Sequence, residues 1–326
     1  MALLKVSVII VNWHAEDLVG EVLAALDRQT RAPDRVVVVD NGSDRPLPLA
    51  RYTRGPIQVM TMPGNVGFAA ANNAAVQRES EADWVALLNP DALPEPGWLE
   101  ALMSAAQDHA NVYSFGSTQV TGNDGGVIDG LGDVYHVSGA AWRDRHGEHY
   151  RQLPPACREI FAPCAAAALY RRDAYLDVGG FDEDFFCYFE DVDLGFRLRS
   201  RGYGAMHVPG AVVHHLGGGT TGGKHSNFAV YHGQRNLVWA FVKNMPGANL
   251  WRYLFQHLLF NLTSLAWHIL RGQGLVVLRA KWAALMGLRR ILRKRALVRR
   301  QSRVPAREVV AMMAHGWLTP YLRIRQ

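Results

Sequence analysis

Residues 6–43 have the sequence VSVIIVNWHAEDLVGEVLAALDRQTRAPDRVVVVDNGS, and this stretch decides the fold class. Val6–Val11 is apolar apart from Ser7, which is typical of a strand buried on both faces of a parallel sheet. Residues 16–28 carry apolar side chains at helical spacing, and Arg35–Val39 predicts a second buried strand that ends in the turn residues Asp40–Ser43. The order of strand, helix and strand predicts an α/β fold.

The same alternation continues towards residue 108. Ile57–Thr61 and Trp84–Leu88 predict further strands, and Phe68–Arg78 and Pro96–Asp108 predict helices. We therefore expect a Rossmann-like, mostly parallel sheet with helices on both faces. Residues 113–160 predict only short strands and loops. The remaining predicted elements are a strand or buried segment at 161–169, a helix at 190–201 and extended segments at Ala205–Val208 and Ala211–His215.

Charge divides the chain into two parts. Residues 1–245 contain 20 Lys and Arg against 28 Asp and Glu, a net charge of −8. Residues 246–326 contain 15 Lys and Arg and the single acid Glu308, a net charge of +14. Opposite charges of this size indicate that the two parts face different partners.

The C-terminal part has the composition of a membrane-surface segment. Residues 253–270 contain no Asp, Glu, Lys or Arg, but the run is short for a spanning helix and polar side chains interrupt it. Seven of the twelve residues 289–300 are basic, and Leu285, Leu288 and Leu292 accompany them. A basic amphipathic stretch suits an anionic bilayer, so we expect a protein that is peripheral on the inner face of the cytoplasmic membrane.

The cysteines and the N-terminus indicate a reducing compartment. Cys157, Cys164 and Cys187 are odd in number and form no C-x-x-C pair, which argues against a disulfide framework and a structural zinc site. The N-terminal sequence has a short β-branched run without a small-residue cleavage site, so we interpret it as a strand rather than a signal peptide. Both observations favour a cytoplasmic protein.

Polar clusters follow three of the predicted strands: Asn12, Asp40 with Asn41, and Asn89 with Asp91. Ligands of open α/β sheets bind beyond the carboxyl ends of the strands, so these clusters should lie near one site. Asp40 can accept hydrogen bonds from a nucleobase or a ribose, and Asp91 is placed to hold Mg²⁺ or Mn²⁺ together with diphosphate oxygens. Turn formation explains the same residues without any ligand.

Two later segments can also carry chemistry. Gly64–Phe68 leads into a predicted helix, and its backbone N–H groups suit a phosphate or a ribose. Glu190, Asp191 and Asp193 open another predicted helix after an aromatic run, and neighbouring carboxylates in such surroundings can act as general bases. A plain turn and cap explains the first segment equally well, and complementarity to the helix dipole explains the second.

His214 and His215 precede a Gly-rich stretch, which predicts a metal-capable imidazole beside a mobile loop at 217–223. Histidines with a purely structural role are the commoner alternative. Gly218–Lys224 fits the first part of the P-loop pattern, but His225 stands where that pattern needs Ser or Thr, so we treat the match as accidental.

Taken in order, these segments resemble the inverting nucleotide-sugar glycosyltransferases of family 2, which have the GT-A fold. The matching stretches are SVIIVNWHAEDLVGEVLAALDRQT, VVVVDNGSD, GNVGFAAANNAA, ALLNPDA, GGFDEDFFCYFEDVDLGFRLRSRGY and VVHHLGGG. The triplet NPD at 89–91, in place of Asp-x-Asp, is similar to bacterial rhamnosyltransferases, as is the run from Gln234 through Lys243 to the basic tail. The resemblance implies a catalytic domain over residues 1–245 and a helical, basic, membrane-associating region over residues 246–326.

The resemblance also implies a role for each matching residue. Asp191 would be the catalytic base, and Glu190 and Asp193 would bind the acceptor. Asp91 would coordinate Mg²⁺ or Mn²⁺ together with His214, or with His215 as the alternative. Because Asn89 replaces a first Asp, this metal site would carry less negative charge. The nucleotide-sugar would contact Asn12, Asp40, Asn41, Asn65, Gly67, Asn73, Asn89 and Lys224.

The implied reaction moves a sugar, such as rhamnose, from a nucleotide-sugar to a glycan or lipid-linked glycan in bacterial cell-surface polysaccharide synthesis. The donor would be dTDP-rhamnose or a UDP-sugar, and loop 217–223 would close over it. One alternative is a nucleotidyltransferase of similar fold, which would need a Gly-rich basic loop where Asn12–His14 stand. The other is a non-catalytic binder of membranes or nucleic acid; the tail has no recognisable nucleic-acid module, so nucleic acid is not expected as a partner.

Overall fold

The computed structural model describes residues 4–323, apart from residues 122–125, 151–152, 218–222 and 224. Its strands are β1 (Val6–Asn12), β2 (Arg35–Asp40), β3 (Ile57–Thr61), β4 (Trp84–Leu88), β5 (Ala92–Pro94), β6 (Val112–Thr121), β7 (Ile128–Gly130), β8 (Asp133–Tyr135), β9 (Ala141–Arg143), β10 (Arg158–Glu159), β11 (Ala167–Arg171) and β12 (Gly204–His215). Its helices are α1 (Glu16–Asp27), α2 (Phe68–Arg78), α3 (Trp98–Asp108), α4 (Arg172–Asp177), α5 (Glu190–Arg201), α6 (Asn227–Asn244), α7 (Asn249–Leu270), α8 (Gly274–Met286), α9 (Leu288–Gln301), α10 (Ala306–Ala311) and α11 (Thr319–Arg323).

The central sheet is parallel in its N-terminal half and mixed beyond it. The strands β3, β2, β1 and β4 run parallel, in that order. Next comes β11, which is antiparallel to both β4 and β6, and β6 and β12 then run parallel to each other. Strands β5 and β10 pair with β12, β7 pairs with β6, and β8 and β9 form a separate hairpin. The predicted α/β fold is confirmed, and the carboxyl ends of β1, β2 and β4 meet at one edge.

Alternate side chains of β1 explain why helices cover both faces of the sheet. Val8 and Ile10 point to one face and pack in a core with α1 and α3. Ile9 and Val11 point to the other face and pack in a core with α2 and α5. Strands β1, β2 and β4 are therefore buried on both sides, as apolar runs predict, whereas the edge strand β3 is largely exposed.

Predicted and observed elements agree best where the residue pattern is regular. Elements β3, α2, β4 and α5 begin and end at the predicted residues. The segment predicted as short strands and loops contains β6, a strand of 10 residues in the middle of the sheet. Its buried side chains include Ser114, Ser117, Thr118 and Gln119, so it has no apolar run that would predict a core strand.

The C-terminal helices pack on the rest of the chain and share its cores. Val309 of α10 lies in one buried cluster with Tyr135 and Phe196, and Ile291 of α9 lies in another with Trp239 of α6. The division of charge near residue 245 is therefore not a break between two separate cores. None of the helices in the described ranges is both long and apolar enough to cross a membrane.

Candidate active site

A cavity of about 1080 Å³ opens where the carboxyl ends of β1 and β4 meet. Its wall includes Trp13 after β1, Asp91 after β4, the hairpin β8–β9 and the aromatic segment before α5. The wall also reaches Trp267 and Arg271 near the end of α7. The topology thus brings polar groups from distant parts of the sequence to one place, as expected for an open α/β sheet.

Asp91 and His215 face each other in this cavity. Oδ1 of Asp91 lies 3.5 Å from Nε2 of His215, and both side chains are buried. The other ring nitrogen, Nδ1, donates a hydrogen bond to Oδ2 of Asp129 over 2.8 Å, which fixes the ring. Burial lowers the pKa of His215, but the hydrogen bonds to Asp129 and Asp91 outweigh it and raise the pKa above its usual value.

Of the two candidate histidines, the structure places His215 and not the preferred His214 in the cavity wall. Side chains alternate along a strand, so neighbours on β12 point to opposite faces. His214 contacts Glu95, with 3.1 Å between Nε2 and Oε1, and it does not line the cavity. His215, the alternative, does line the cavity.

Asp129 and Arg143 are site residues that sequence analysis missed. Nη1 of Arg143 forms an ion pair with Asp129, donates a hydrogen bond to Gln119 over 2.9 Å and lies 3.3 Å from Nδ1 of His215. Burial would raise the pKa of Asp129, but hydrogen bonds from His146 and His215 and the charge of Arg143 hold it well below its usual range. A carboxylate that stays ionised behind a histidine keeps the ring oriented.

Glu190 and Asp191, at the start of α5, line the same cavity. Oδ2 of Asp191 accepts a hydrogen bond from the backbone of Ala165 over 3.3 Å, and Oδ1 accepts one from Val192 over 2.9 Å. Burial raises the pKa of Asp191, and burial together with the charge of Asp191 raises the pKa of Glu190 well above its usual value. A buried carboxyl with a raised pKa is suited to take up a proton.

The backbone before Asp191 is strained. Phe186, Tyr188 and Phe189 have φ angles of 66°, 65° and 67°, which large side chains rarely adopt. The amide nitrogen of Asn236 on α6 holds this segment, because it lies within 2.9 Å of the backbone oxygens of Phe185, Cys187 and Tyr188. Strain that the surroundings enforce is typical of functional sites, and here it sets the entry to α5.

Gly67 lets helix α2 approach this strained segment closely. It precedes α2 with a φ of +90°, and a Cβ atom on it would lie 2.6 Å from the ring of Phe186. A side chain at this position would therefore separate α2 from the wall of the cavity.

Asp133 on β8 is a further carboxyl that sequence analysis missed. It stands opposite Arg143 in the hairpin β8–β9, and both residues line the cavity. Its Oδ2 is buried and has no hydrogen-bond partner within the described part of the chain. Burial and the charge of Asp191 raise its pKa well above the usual value. The weak pattern of residues 113–160 gave no signal for this residue.

Three of the predicted nucleotide-binding residues line the cavity: Asn41, Asn65 and Asn89. Asn41 donates a hydrogen bond to the side-chain oxygen of Asn65 over 3.1 Å and accepts one from the backbone of Val66 over 3.0 Å, which orders the loop before α2. Asp40 accepts a hydrogen bond from the backbone of Ser43 and does not line the cavity, so its contact with a base stays a prediction. Lys224 and most of loop 217–223 lie outside the described residues.

Asn12 and Asn73, predicted to contact the nucleotide-sugar, make hydrogen bonds within the protein. Oδ1 of Asn12 accepts a hydrogen bond from Ala15, and Nδ2 donates one to Ser43, so its amide closes the turn after β1. The amide of Asn73 is bonded to both the backbone nitrogen and oxygen of Phe181. Both side chains are buried and stand outside the cavity wall.

Asp193, predicted to bind the acceptor, is a buried residue that does not line the cavity. Residues two apart on a helix point in nearly opposite directions, so Asp193 faces away from the cavity that Asp191 lines. Its carboxylate has no exposed surface and is bonded to Lys243 at 2.8 Å, Arg197 at 2.7 Å and Asn244 at 2.7 Å. This network ties α5 to α6.

We expect the substitution Asp193→Asn to lower the free energy of unfolding by about 3 kcal/mol, because buried Arg197 loses its carboxylate partner and buried Lys243 keeps only Asp182. Denaturant unfolding measures this loss. At a temperature where the variant stays folded, its KM for the acceptor should be unchanged. If the variant had normal stability and a raised KM for the acceptor, Asp193 would instead be an acceptor-binding residue.

Comparison with known proteins assigns this site to a family. The family model described as "Glycosyl transferase family 2" matches residues 7–179, which is more than half of the chain. The chain belongs to glycosyl transferase family 2. The sequence-based identification is confirmed, and the protein is a glycosyltransferase.

Its relatives among characterised proteins include the N-acetylglucosaminyl-diphospho-decaprenol L-rhamnosyltransferase of Mycobacterium tuberculosis. The two sequences are 33% identical over 233 residues, which cover 64% of this chain and 76% of the relative. This likeness supports the bacterial rhamnosyltransferase-like subgroup.

Two solved structures share the fold at 17% identity. GalNAc-T7 with UDP, GalNAc and Mn²⁺ aligns with a TM-score of 0.55 over 74% of this chain, which spans 48% of that chain. The mannosyltransferase PcManGT from Pyrobaculum calidifontis, in complex with GDP-Man and Mn²⁺, aligns with a TM-score of 0.52 over 90% of this chain and 84% of that chain. The family 2 glycosyltransferase therefore has the GT-A fold.

Proposed function

We propose that this glycosyltransferase works with inversion, and that Asp191 is its general base. The observation that carries the proposal is the shared cavity: the Asp91–His215 pair and the buried carboxyl of Asp191 line the same space from different elements. An inverting transfer needs a holder for the leaving diphosphate and a base for the attacking hydroxyl, and this cavity has candidates for both. A nucleotidyltransferase has no comparable support, because Asn12–His14 are not a Gly-rich phosphate loop.

The donor side of the cavity fits a divalent cation. Asp91 offers a carboxylate oxygen and His215 an imidazole nitrogen, and these are ligands that Mn²⁺ accepts in proteins. Within the described ranges no group of three or more His, Cys, Asp or Glu side chains could hold a metal by itself. Diphosphate oxygens and water would therefore complete the coordination of Mg²⁺ or Mn²⁺. Such an ion would neutralise the charge that develops on the leaving diphosphate.

On the acceptor side of the cavity, Asp191 would act as the general base. Its carboxylate takes the proton of an acceptor hydroxyl, and the hydroxyl oxygen forms a bond to the anomeric carbon of the donor sugar. The bond between that carbon and the diphosphate oxygen breaks, and its electron pair leaves with the nucleoside diphosphate. Attack and departure on opposite faces invert the anomeric configuration. Glu190, beside the base, would hold the acceptor, and much of the acceleration would come from this positioning.

The name of the M. tuberculosis relative supports rhamnose as the sugar and a lipid-linked diphosphate glycan as the acceptor. We propose dTDP-rhamnose as donor, with a UDP-sugar as the second candidate, in bacterial cell-surface polysaccharide synthesis. A panel of nucleotide-sugars, each with Mg²⁺ or Mn²⁺ and a synthetic N-acetylglucosaminyl-diphospho-lipid, tests the proposal. We expect one donor to give a disaccharide product detectable by mass spectrometry. The absence of any product across the panel would contradict the assignment.

Asp133 would help to bind the acceptor, because its buried Oδ2 lies in the same cavity as Asp191 and Glu190. We expect Asp133→Ala to raise the KM for the acceptor about tenfold, the effect of losing one hydrogen bond between a carboxyl group and a hydroxyl. Donor affinity should stay unchanged. Steady-state kinetics with each substrate varied in turn measure both.

The matched control for this variant is Asp144→Ala. Asp144 follows β9 on the same hairpin, but its carboxylate is paired with Arg158. If both variants raise the acceptor KM equally, the effect comes from the hairpin's stability and not from Asp133.

Peripheral placement on the inner face of the cytoplasmic membrane is proposed together with this activity. The basic composition of residues 246–326 supports it, since a lipid-linked acceptor would be met at an anionic bilayer surface.

A further inference from the structure

Helix α7 exposes a row of large apolar side chains, while its buried face mixes polar residues with Leu250 and Phe260. Trp251, Phe255, Leu258 and Leu262 recur every three or four residues, which places them on one face of the helix, and all are exposed. Trp251 is 73% exposed and Leu262 is 64% exposed. A helix that packs on a soluble protein normally presents the opposite pattern.

The inner face of α7 is bound to the protein through polar contacts. His257 is buried, stacks on the ring of Phe241 with 3.9 Å between centroids and lies 2.8 Å from the backbone oxygen of Ser138. Gln234 donates a hydrogen bond to Ser264 over 2.9 Å. These contacts fix which face of α7 is turned outward, so the exposed apolar face is a built feature of the fold.

Helix α8 continues the exposed apolar surface. Leu275, Leu278 and Trp282 are 62%, 51% and 63% exposed, while the small residues Ala280 and Ala284 are buried. The two helices follow each other in sequence and pack together. We call the exposed side chains Trp251, Phe255, Leu258, Leu262, Leu278 and Trp282 the docking face. Exposed large apolar side chains clustered on two neighbouring helices indicate an interaction site.

We infer that the docking face lies on the surface of an anionic lipid bilayer. Exposed Arg252 and Arg279 lie among its apolar residues, and Glu308 is the single acid from residue 246 to the C-terminus. Apolar side chains, tryptophans and arginines on one helix face are the composition of helices that lie in the membrane interface. A second copy of the chain would bring arginines against arginines, so charge favours anionic lipid over self-association.

This surface differs from the one that the sequence predicts. The most basic segment, residues 289–300, lies in α9, where Ile291 is buried in a core with Trp239. Lys294 forms ion pairs with Asp182 and Asp184, and Arg290 forms one with Asp184 at 2.8 Å. One side of α9 therefore packs against the rest of the protein. In our inference, the apolar side chains that contact lipid belong to α7 and α8 instead.

The docking face also lies beside the cavity. Trp267 and Arg271, near the end of α7, line its wall, and the guanidinium of Arg271 lies 5.3 Å from the ring centre of Trp267. Resting on the proposed function, this arrangement lets the lipid of an acceptor stay in the bilayer while its sugar enters the cavity. The bilayer contact itself does not depend on sugar transfer.

Flotation of the full chain with lipid vesicles tests the inference. Vesicles with 30% phosphatidylglycerol in phosphatidylcholine are the probe, and pure phosphatidylcholine vesicles are the reference. We expect binding to the anionic vesicles, weakened at high salt, and at least about tenfold weaker partitioning for the double variant Leu262→Glu and Leu278→Glu. Both positions are exposed, so folding should not change.

The matched control is the double variant Gln58→Glu and Val59→Glu, which adds two charges at exposed positions of β3. It should float as the unmodified chain does. Equal flotation of both double variants, or no flotation of the unmodified chain, would overturn the inference. A dimer in light scattering that the α7–α8 variant converts to a monomer would overturn it in favour of self-association. Sugar transfer to a soluble acceptor that carries no lipid tests the proposed function separately. Failure of flotation with intact transfer would overturn only the bilayer contact.

Discussion

The substitution Asp191→Asn should lower kcat about 10³-fold. The amide keeps the size of the carboxyl and can still accept the backbone hydrogen bond from Val192, but it cannot take up the acceptor proton. General bases contribute about 10²–10⁴-fold to rates, and Asp191 is the carboxylate that backbone N–H groups of Ala165 and Val192 hold in the cavity. Affinity for the nucleoside diphosphate, measured by calorimetry, should stay within twofold because Asp91 and His215 are unchanged.

Two controls accompany this variant. Asp44→Asn alters an exposed carboxyl and should leave kcat unchanged. In the unmodified enzyme, burial raises the pKa of Asp191, so the base is lost as the pH falls through a value above the usual aspartate range. As the pH is lowered, kcat should therefore begin to fall at a pH above the usual pKa range of aspartate. Turnover of Asp191→Asn near the level of the unmodified enzyme would remove Asp191 as the base.

The substitution His215→Ala should weaken Mn²⁺-dependent binding of the nucleoside diphosphate about 10²-fold. His215 faces Asp91 at 3.5 Å in the cavity, and Asp129 holds its ring, so its loss removes one of two protein ligands of the proposed cation. Asp91→Ala should have an effect of similar size. Titration calorimetry with and without Mn²⁺ measures the metal-dependent part of the affinity.

His214→Ala is the matched control, since it removes the same side chain from the next residue of β12. His214 faces Glu95 and does not line the cavity, so its loss should leave metal-dependent affinity within about twofold. If His214→Ala weakens the binding and His215→Ala does not, the sequence-based preference for His214 is restored and the assignment from the structure is wrong.

The parts of the fold that the sequence predicts are those whose burial appears in the residue pattern. β1 and β4 are predominantly apolar runs, and α2 and α5 begin at the predicted residues because turn or acidic residues precede their helical pattern. β6 escapes prediction because serine, threonine and glutamine fill its buried positions. Hydrogen bonding within the sheet, rather than an apolar pattern, accounts for their burial.

The candidate site was predictable where a motif follows a strand, as with Asn89 and Asp91, or opens a helix, as with Asp191. Asp129, Asp133 and Arg143 could not be predicted, because they lie on the short strands β7, β8 and β9, which have no clear sequence pattern. Only the pairing of these strands in the fold brings the three residues to the site. Helical geometry could have excluded Asp193, since it stands two residues from Asp191. The choice between His214 and His215 needed the face of β12, which strand alternation leaves open until one residue is placed.

We propose that Asp191 and the Asp91–His215 pair act on opposite faces of the donor sugar. NMR on the first turnovers, with the donor that the panel identifies, measures the anomeric configuration of the product. We expect a glycoside whose anomeric configuration is opposite to that of the nucleotide-sugar. A product with the donor's own configuration would rule out this arrangement.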